Sequence, residues 1–69
     1  MALGGRIKEL RERRGWSQSE LARRAHVRQA LLSALETGRQ PDTTGSVLRR
    51  LARTLGVSID YLVGTFDPG

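Results

Sequence analysis

The 69 residues of this chain are enough for one small domain, which buries only about 60% of the surface that its unfolded form exposes. There is no cysteine and a single histidine, which excludes disulfide scaffolds, thiolate zinc sites and histidine clusters within one chain. Twelve Lys and Arg against seven Asp and Glu give a net charge of +5, which is typical of proteins with a polyanionic partner and also compatible with a solvated surface.

The first predicted helix covers residues 6–14. Leu3, Ile7 and Leu10 recur at the i, i+4 and i+7 spacing of an amphipathic helix, and the first of them lies three residues before the predicted start. Gly15 follows, in the position that helix C-termini favour. A second helix begins at Ser17, because Ser17 and Glu20 have the spacing of a capping box. In that motif the serine hydroxyl accepts from the N–H three residues on, and the glutamate reaches back to the cap.

The second helix is expected to stop near residue 25. Its apolar face is formed by Leu21, Ala22 and Ala25. Trp16, just before the cap, is expected to pack on the core rather than to serve as a stacking surface. His26 and Val27 then form a tight turn, in which His26 takes a left-handed backbone conformation.

Three further helices are predicted at about residues 28–37, 44–55 and 59–63. A glycine follows each of them, as expected at helix ends: Gly38, Gly56 and Gly64. Inward-facing residues of this half complete the core: Leu32, Leu35, Leu48, Leu51, Ala52, Leu55, Val57, Ile59 and Leu62. Five short helices without a strand signal predict an all-α globule, in which residues 65–69 form a frayed tail.

Three stretches of the sequence carry a family resemblance: Gln18-x-x-Leu21-Ala22-x-x-Ala25-His26-Val27, Leu32-x-x-Leu35-Glu36-x-Gly38 and Leu51-Ala52-x-x-Leu55-Gly56-Val57-Ser58-Ile59-Asp60-x-Leu62. Together they resemble the helix-turn-helix domain of the phage-repressor/Cro family, also called the Xre family, over about residues 6–64. The resemblance implies a compact five-helix bundle with a lambda-repressor-like fold, as a single domain over residues 1–69. It also implies sequence-specific binding of double-stranded DNA by a transcriptional regulator of the repressor type, with helix 28–37 in the major groove.

The resemblance assigns base reading to the outer face of the third helix, through Gln29, Ala30, Ser33 and Ala34. Glutamine can bond adenine at N6 and N7, serine can bond several base edges, and alanine can touch a thymine methyl group. The alanines are also good helix formers, so a purely structural role is the alternative there.

Contacts to the DNA backbone are implied for Ser17, Gln18, Arg28, Arg39, Gln40 and Arg11. In the family, the residue matching Gln18 bonds a phosphate and braces the residue matching Gln29. Arg11 and Glu36 match a family ion pair, and the arginine fork can bond the glutamate and a phosphate together. Solvated side chains are the alternative, and the adjacent arginines at 13–14, 23–24 and 49–50 are interpreted mainly as solvated surface.

Two of the departures from the family pattern concern the helix-turn-helix itself. Arg28 stands where the family usually has a Ser or Thr cap, so about 1 kcal/mol of capping energy is expected to be lost. His26 replaces the usual glycine of the turn. We also expect a homodimer through the C-terminal helix, with contacts from Tyr61, Leu62, Val63 and Phe66.

The sequence is also compatible with other functions. A protein-interaction module or an antitoxin-type autoregulator would use the same fold. RNA is a less favoured partner, because A-form RNA hides its major groove. We expect no enzyme activity, cofactor, metal or membrane association, because no acid–base pair, metal cluster or phosphate loop is present. A cytoplasmic, nucleoid-associated protein is expected.

Overall fold

The computed structural model describes residues 3–64, which form five helices: α1 (Leu3–Arg13), α2 (Gln18–Ala25), α3 (Gln29–Thr37), α4 (Gly45–Leu55) and α5 (Ile59–Val63). Within that range there is no β-strand, so the predicted all-α fold is confirmed. Helix α3 packs on α1 and α2, and α4 packs on α2 and α5. The predicted tail, residues 65–69, lies outside the described residues.

One cluster of buried apolar side chains joins all five helices. Its fully buried large members are Ile7, Leu21, Leu32, Leu35, Leu51, Leu55 and Leu62. Ala22 and Ala25 are buried as well, and their small side chains let α2 approach its neighbours closely. Val57 packs on the cluster half-buried. The prediction that Ile59 joins the core was wrong: Ile59 is 37% exposed, because the five-residue α5 places Leu62 in the core instead.

Three helices begin with a hydroxyl that accepts from the backbone N–H three residues on: Ser17, Thr44 and Ser58. Arg28 caps α3 without a side-chain hydrogen bond, as predicted. The capping box of α2 is only half formed, because the Glu20 carboxylate accepts from Arg23 at 2.7 Å and from Arg24 at 3.0 Å instead of reaching back. These two hydrogen bonds lower the pKa of Glu20.

Trp16 packs against the core, but it is only half-buried. The Arg24 guanidinium lies 4.6 Å from the ring centre of Trp16, and the Arg14 guanidinium lies 5.7 Å from it. Arg14 also donates to the carbonyl oxygens of Leu10 and Leu55, which ties the end of α1 to the end of α4. Arg14 and Arg24 therefore have structural contacts in addition to their charge.

Helix α1 begins at Leu3 rather than at residue 6, because Gly4 lies against the backbone of α3. An ideal Cβ built on Gly4 would stand 1.8 Å from the carbonyl oxygen of Leu35. Only glycine permits this approach, so tertiary packing overrides the low helix propensity of glycine at the start of α1.

We expect Gly4→Ala to destabilise the fold and Gly45→Ala to stabilise it, although both glycines are helical. A side chain at position 4 forces α1 away from α3, at about 3 kcal/mol, which outweighs the about 1 kcal/mol of helix propensity that alanine adds. At position 45 nothing lies within 4 Å of an added Cβ, so only the propensity gain remains. Urea unfolding measures both changes, and a Gly4→Ala protein as stable as the wild type would contradict the close approach.

Candidate nucleic-acid interface

The turn between α2 and α3 sets the angle at which α3 leaves the core. His26 has φ 58°, which confirms the predicted left-handed conformation. The N–H groups of His26 and Val27 donate to carbonyls in the last turn of α2, at 3.3 and 3.0 Å, and so end that helix. Helix α3 starts three residues later, at Gln29.

The predicted base-reading residues share the outward side of α3: Gln29, Ala30, Ser33 and Ala34. The first two are exposed and the last two are half-buried. The inward side is closed by Leu32 and Leu35, which are buried. No side-chain hydrogen bond engages Gln29 within residues 3–64, so its amide is available to a ligand.

Glu36, near the end of α3, is the centre of a half-buried polar cluster. Arg11 donates to both of its carboxylate oxygens, through Nε and Nη2, each at 2.9 Å. Arg11 Nη1 donates to the carbonyl oxygen of Trp16 at 2.8 Å. The side chains of Arg11 and Glu36 are only 12% and 4% exposed. The hydrogen bond to Glu36 raises the pKa of Arg11. The predicted pair is therefore present, and it attaches α3 to α1.

Gln18 joins the same cluster. Its Nε2 donates to Glu36 Oε1 at 3.4 Å. The Gln18 amide thus faces Glu36, near the C-terminal end of α3, rather than Gln29, and the bracing of Gln29 by Gln18 stays a prediction. Ser17, beside it, already uses its hydroxyl oxygen as the cap of α2. Both residues nevertheless lie at the N-terminus of α2, where free backbone N–H groups favour an anion.

The loop after α3 is held by its own hydrogen bonds. The Gln40 N–H donates to the carbonyl oxygen of Ala34 at 3.0 Å, and the Gln40 amide donates to that of Asp42 at 2.9 Å. Arg39 is exposed, between this anchor and the left-handed Gly38 that ends α3. The loop therefore presents the Arg39 side chain from a fixed backbone.

Positive charge without a carboxylate partner lies around α3. No ion pair among residues 3–64 uses Arg28, Arg39 or Arg50. Arg50 instead donates from Nη1 to the carbonyl oxygen of His26 at 3.2 Å. This contact between α4 and the turn was missed in the sequence, because no pattern relates residues 24 positions apart.

The predicted dimer residues fall into different environments. Leu62 is fully buried in the core of its own chain, so its prediction as a dimer contact was wrong. Tyr61 is half-buried under the Arg6 guanidinium, 4.6 Å from the ring centre. Val63 is half-buried against the core. Phe66 lies outside the described residues.

A family model described as Helix-turn-helix matches residues 7–62. The chain belongs to the Xre-like helix-turn-helix family. In this Xre-like domain, α2, the turn at His26 and α3 form the helix-turn-helix, and the other three helices support it. The family is a DNA-binding family without enzymatic activity.

Bacterial regulators are similar over most of this Xre-like domain. The HTH-type transcriptional regulator SinR of Bacillus licheniformis is 35% identical over 65 residues, which cover 94% of this chain and 59% of SinR. The HTH-type transcriptional regulator ImmR of Bacillus subtilis (strain 168) is 40% identical over 65 residues, covering 93% of this chain and 50% of ImmR. The chain thus spans about half the length of the curated relatives it matches.

Solved structures of SinR share the fold. SinR in complex with DNA has a TM-score of 0.84 and 37% identity, and the match covers 87% of this chain and 95% of that one. A chain of the SinR/SinI protein complex has a TM-score of 0.85 and 34% identity, and the match covers 96% of this chain and 68% of that one.

Among residues 3–64, none of the helices of the Xre-like domain is long and apolar enough to cross a membrane.

Proposed function

We propose that this chain is the DNA-binding part of a transcriptional regulator, and that α3 enters the major groove of double-stranded DNA. One observation carries the proposal: a SinR domain solved in complex with DNA has the same fold, and the match covers 95% of that domain. The accessible side of α3 suits the major groove, which is about 12 Å wide and admits one helix.

Base reading falls to the outward side of α3. Gln29 is the strongest candidate, because its free amide can bond adenine at N6 and N7. Ser33 supplies a hydroxyl, and Ala30 and Ala34 supply methyl groups that can touch thymine. Only Gln29 and Ser33 on this side of α3 can form hydrogen bonds to bases. Because Gln29 suits adenine and the alanine methyl groups suit thymine, direct readout favours A·T pairs, and sequence-dependent DNA shape contributes the rest of the specificity.

Phosphate contacts surround that face. Arg28 and Arg39 lie before and after α3, are exposed, and lack a carboxylate partner within residues 3–64. Ser17 and Gln18 offer the N-terminus of α2, and Gln40 offers the loop. Arg11 donates three of its five N–H groups to Glu36 and Trp16, and the other two can donate to a phosphate.

The regulator acts as a repressor when α3 occupies a site that polymerase or an activator needs. A regulator of this kind works in the cytoplasm, in association with the nucleoid. A homodimer through α5 would set two recognition helices about 34 Å apart on the DNA. The dimer interface would use Tyr61, Val63 and the exposed Ile59 rather than Leu62.

Because SinR is also known in a complex with SinI, a protein partner is part of the proposal.

Selection of binders from a random duplex library at moderate salt tests the proposal. An enriched sequence supports specific DNA recognition, and an inverted repeat reports the dimer through the spacing of its halves. A folded protein that enriches nothing overturns the proposal and leaves a protein-interaction module as the better function.

We expect Arg39→Ala to weaken binding to specific and random DNA alike. The loss of one phosphate contact reduces the slope of log affinity against log salt concentration by about 0.9. Arg53→Ala, on the exposed side of α4, is the matched control and should leave the slope unchanged. Fluorescence anisotropy across a salt series measures both, and equal slopes for the two variants would remove Arg39 from the phosphate contacts.

A further inference from the structure

An open groove lies beside the N-terminus of α3, between the helix-turn-helix turn and α4. Its lining residues are His26, Val27, Arg28, Leu31, Val47 and Arg50. Of these, only Arg28 belongs to the DNA contacts proposed above. No acidic side chain lines the groove.

The groove combines an apolar floor with a cationic rim. Val27, Leu31 and Val47 are half-buried and pack against the core, so they present a fixed apolar surface. Arg28 and Arg50 on the rim are exposed, and neither forms an ion pair within residues 3–64. A ligand that fits has an anionic group beside a compact apolar one.

The hydrogen bond from Arg50 to His26 positions its guanidinium over this groove. Nη1 donates to the His26 carbonyl at 3.2 Å, in the turn that ends two residues before α3. A guanidinium has five N–H donors, so four remain for a ligand. The bond also limits the rotamers of a long side chain, and less entropy is then lost on binding.

We propose that Arg50 is a DNA-backbone contact, and that this groove holds a phosphate and its deoxyribose at the edge of the site read by α3. The inference rests on the proposed function, since it needs α3 in the major groove. When the N-terminus of α3 lies at the bases, the residues just before α3 face the phosphates that border the major groove. Arg28 is both the residue before Gln29 and part of the rim, which makes the groove continuous with the reading face.

A nucleic-acid backbone fits these features better than an acidic peptide. The sugar-phosphate unit alternates one anion with one compact, weakly polar ring, which matches a cationic rim around a small apolar floor. A phosphate oxygen can accept from two N–H groups of one guanidinium. An acidic peptide remains the competing occupant that the experiment separates.

The test compares Arg50→Gln with Arg49→Gln on the enriched DNA site. Both remove one exposed arginine charge from α4, but Arg49 does not line the groove. We expect Arg50→Gln to reduce the salt slope by about 0.9, so that the affinity ratio of wild type to variant falls about 3.5-fold between 50 and 200 mM salt. Arg49→Gln should keep the wild-type slope, and Arg50→Lys should recover most of it.

Neutral methylphosphonates placed one at a time along the site locate the contact. In wild type, one flanking methylphosphonate should lower affinity severalfold, and in Arg50→Gln that loss should disappear while the losses at other positions persist. Equal slopes for Arg50→Gln and Arg49→Gln overturn the inference and point to an acidic protein segment. If every loss persists in Arg50→Gln, the inference is also overturned, because Arg50 then contacts none of these phosphates. Losses that shrink at every position overturn it as well, because they indicate a disturbed turn. A wild-type protein that enriches no site would instead refute the proposed function.

Discussion

Glu36→Gln is expected to lower the free energy of unfolding by about 3 kcal/mol, near the lower limit for breaking a buried ion pair from one side. The substitution keeps the shape of the side chain but leaves the Arg11 guanidinium, only 12% exposed, without its counter-charge. Arg11 retains its bond to Trp16, which is why the cost is not larger. In a domain of this size such a loss lowers the melting temperature by roughly 12–24 °C, measurable by circular dichroism.

Glu9→Gln is the matched control. Glu9 also pairs with an arginine, Arg13 at 2.6 Å, but that pair is exposed, with side chains 38% and 65% accessible. Its removal should cost about 0.5 kcal/mol or less. The double variant Arg11→Met/Glu36→Met should recover part of the lost stability, because no unpaired charge stays in the cluster. Equal melting temperatures for Glu36→Gln and Glu9→Gln would contradict a central role for Glu36.

The features that the sequence predicted well are local ones. A hydroxyl followed by a free N–H three residues later needs only one turn of helix, so the cap at Ser17 could be recognised in the residues. The same holds for the glycines that end the helices and for His26, since a left-handed residue is a property of one position. Apolar spacing then placed the core on the correct side of α2, α3 and α4.

The errors arose where contacts between distant residues decide the outcome. Gly4 would end a helix by propensity, yet the approach to Leu35 extends α1 over it. Leu62 could be either core or interface from its pattern alone, and only the packing of α5 on α1 and α4 distinguishes them. The Arg50 bond to His26 is likewise invisible to spacing, so Arg50 was interpreted as solvated surface.

The Glu36 cluster also connects stability to recognition. Its bonds hold the C-terminal end of α3 to α1, while the turn at His26 holds the N-terminal end to α2 and, through Arg50, to α4. A helix fixed at both ends presents its outward side in one orientation. The side chain best placed to use that rigidity is Gln29, at the first residue of α3.

Gln29→Ala is expected to reduce the ratio of specific to random DNA affinity by about tenfold, within the about 1–3 kcal/mol that a bidentate side-chain–base pair contributes. Affinity for random DNA should change little, because it depends on phosphate contacts that the substitution leaves in place. Gln29 is exposed and its side chain makes no hydrogen bond within residues 3–64, so the fold should keep its stability. Anisotropy titrations on the enriched site and on random duplex give the ratio.

Gln40→Ala is the matched control, since it makes the same chemical change in the loop that we propose to contact the DNA backbone rather than the bases. It should weaken binding to both DNAs and leave the ratio as it is. Single base-pair changes through the site then identify the contact: the pair read by Gln29 should matter to the wild type and become neutral in Gln29→Ala. If every base change costs the two proteins the same affinity, Gln29 reads no base, and the specificity of α3 comes from Ser33, the methyl groups and DNA shape.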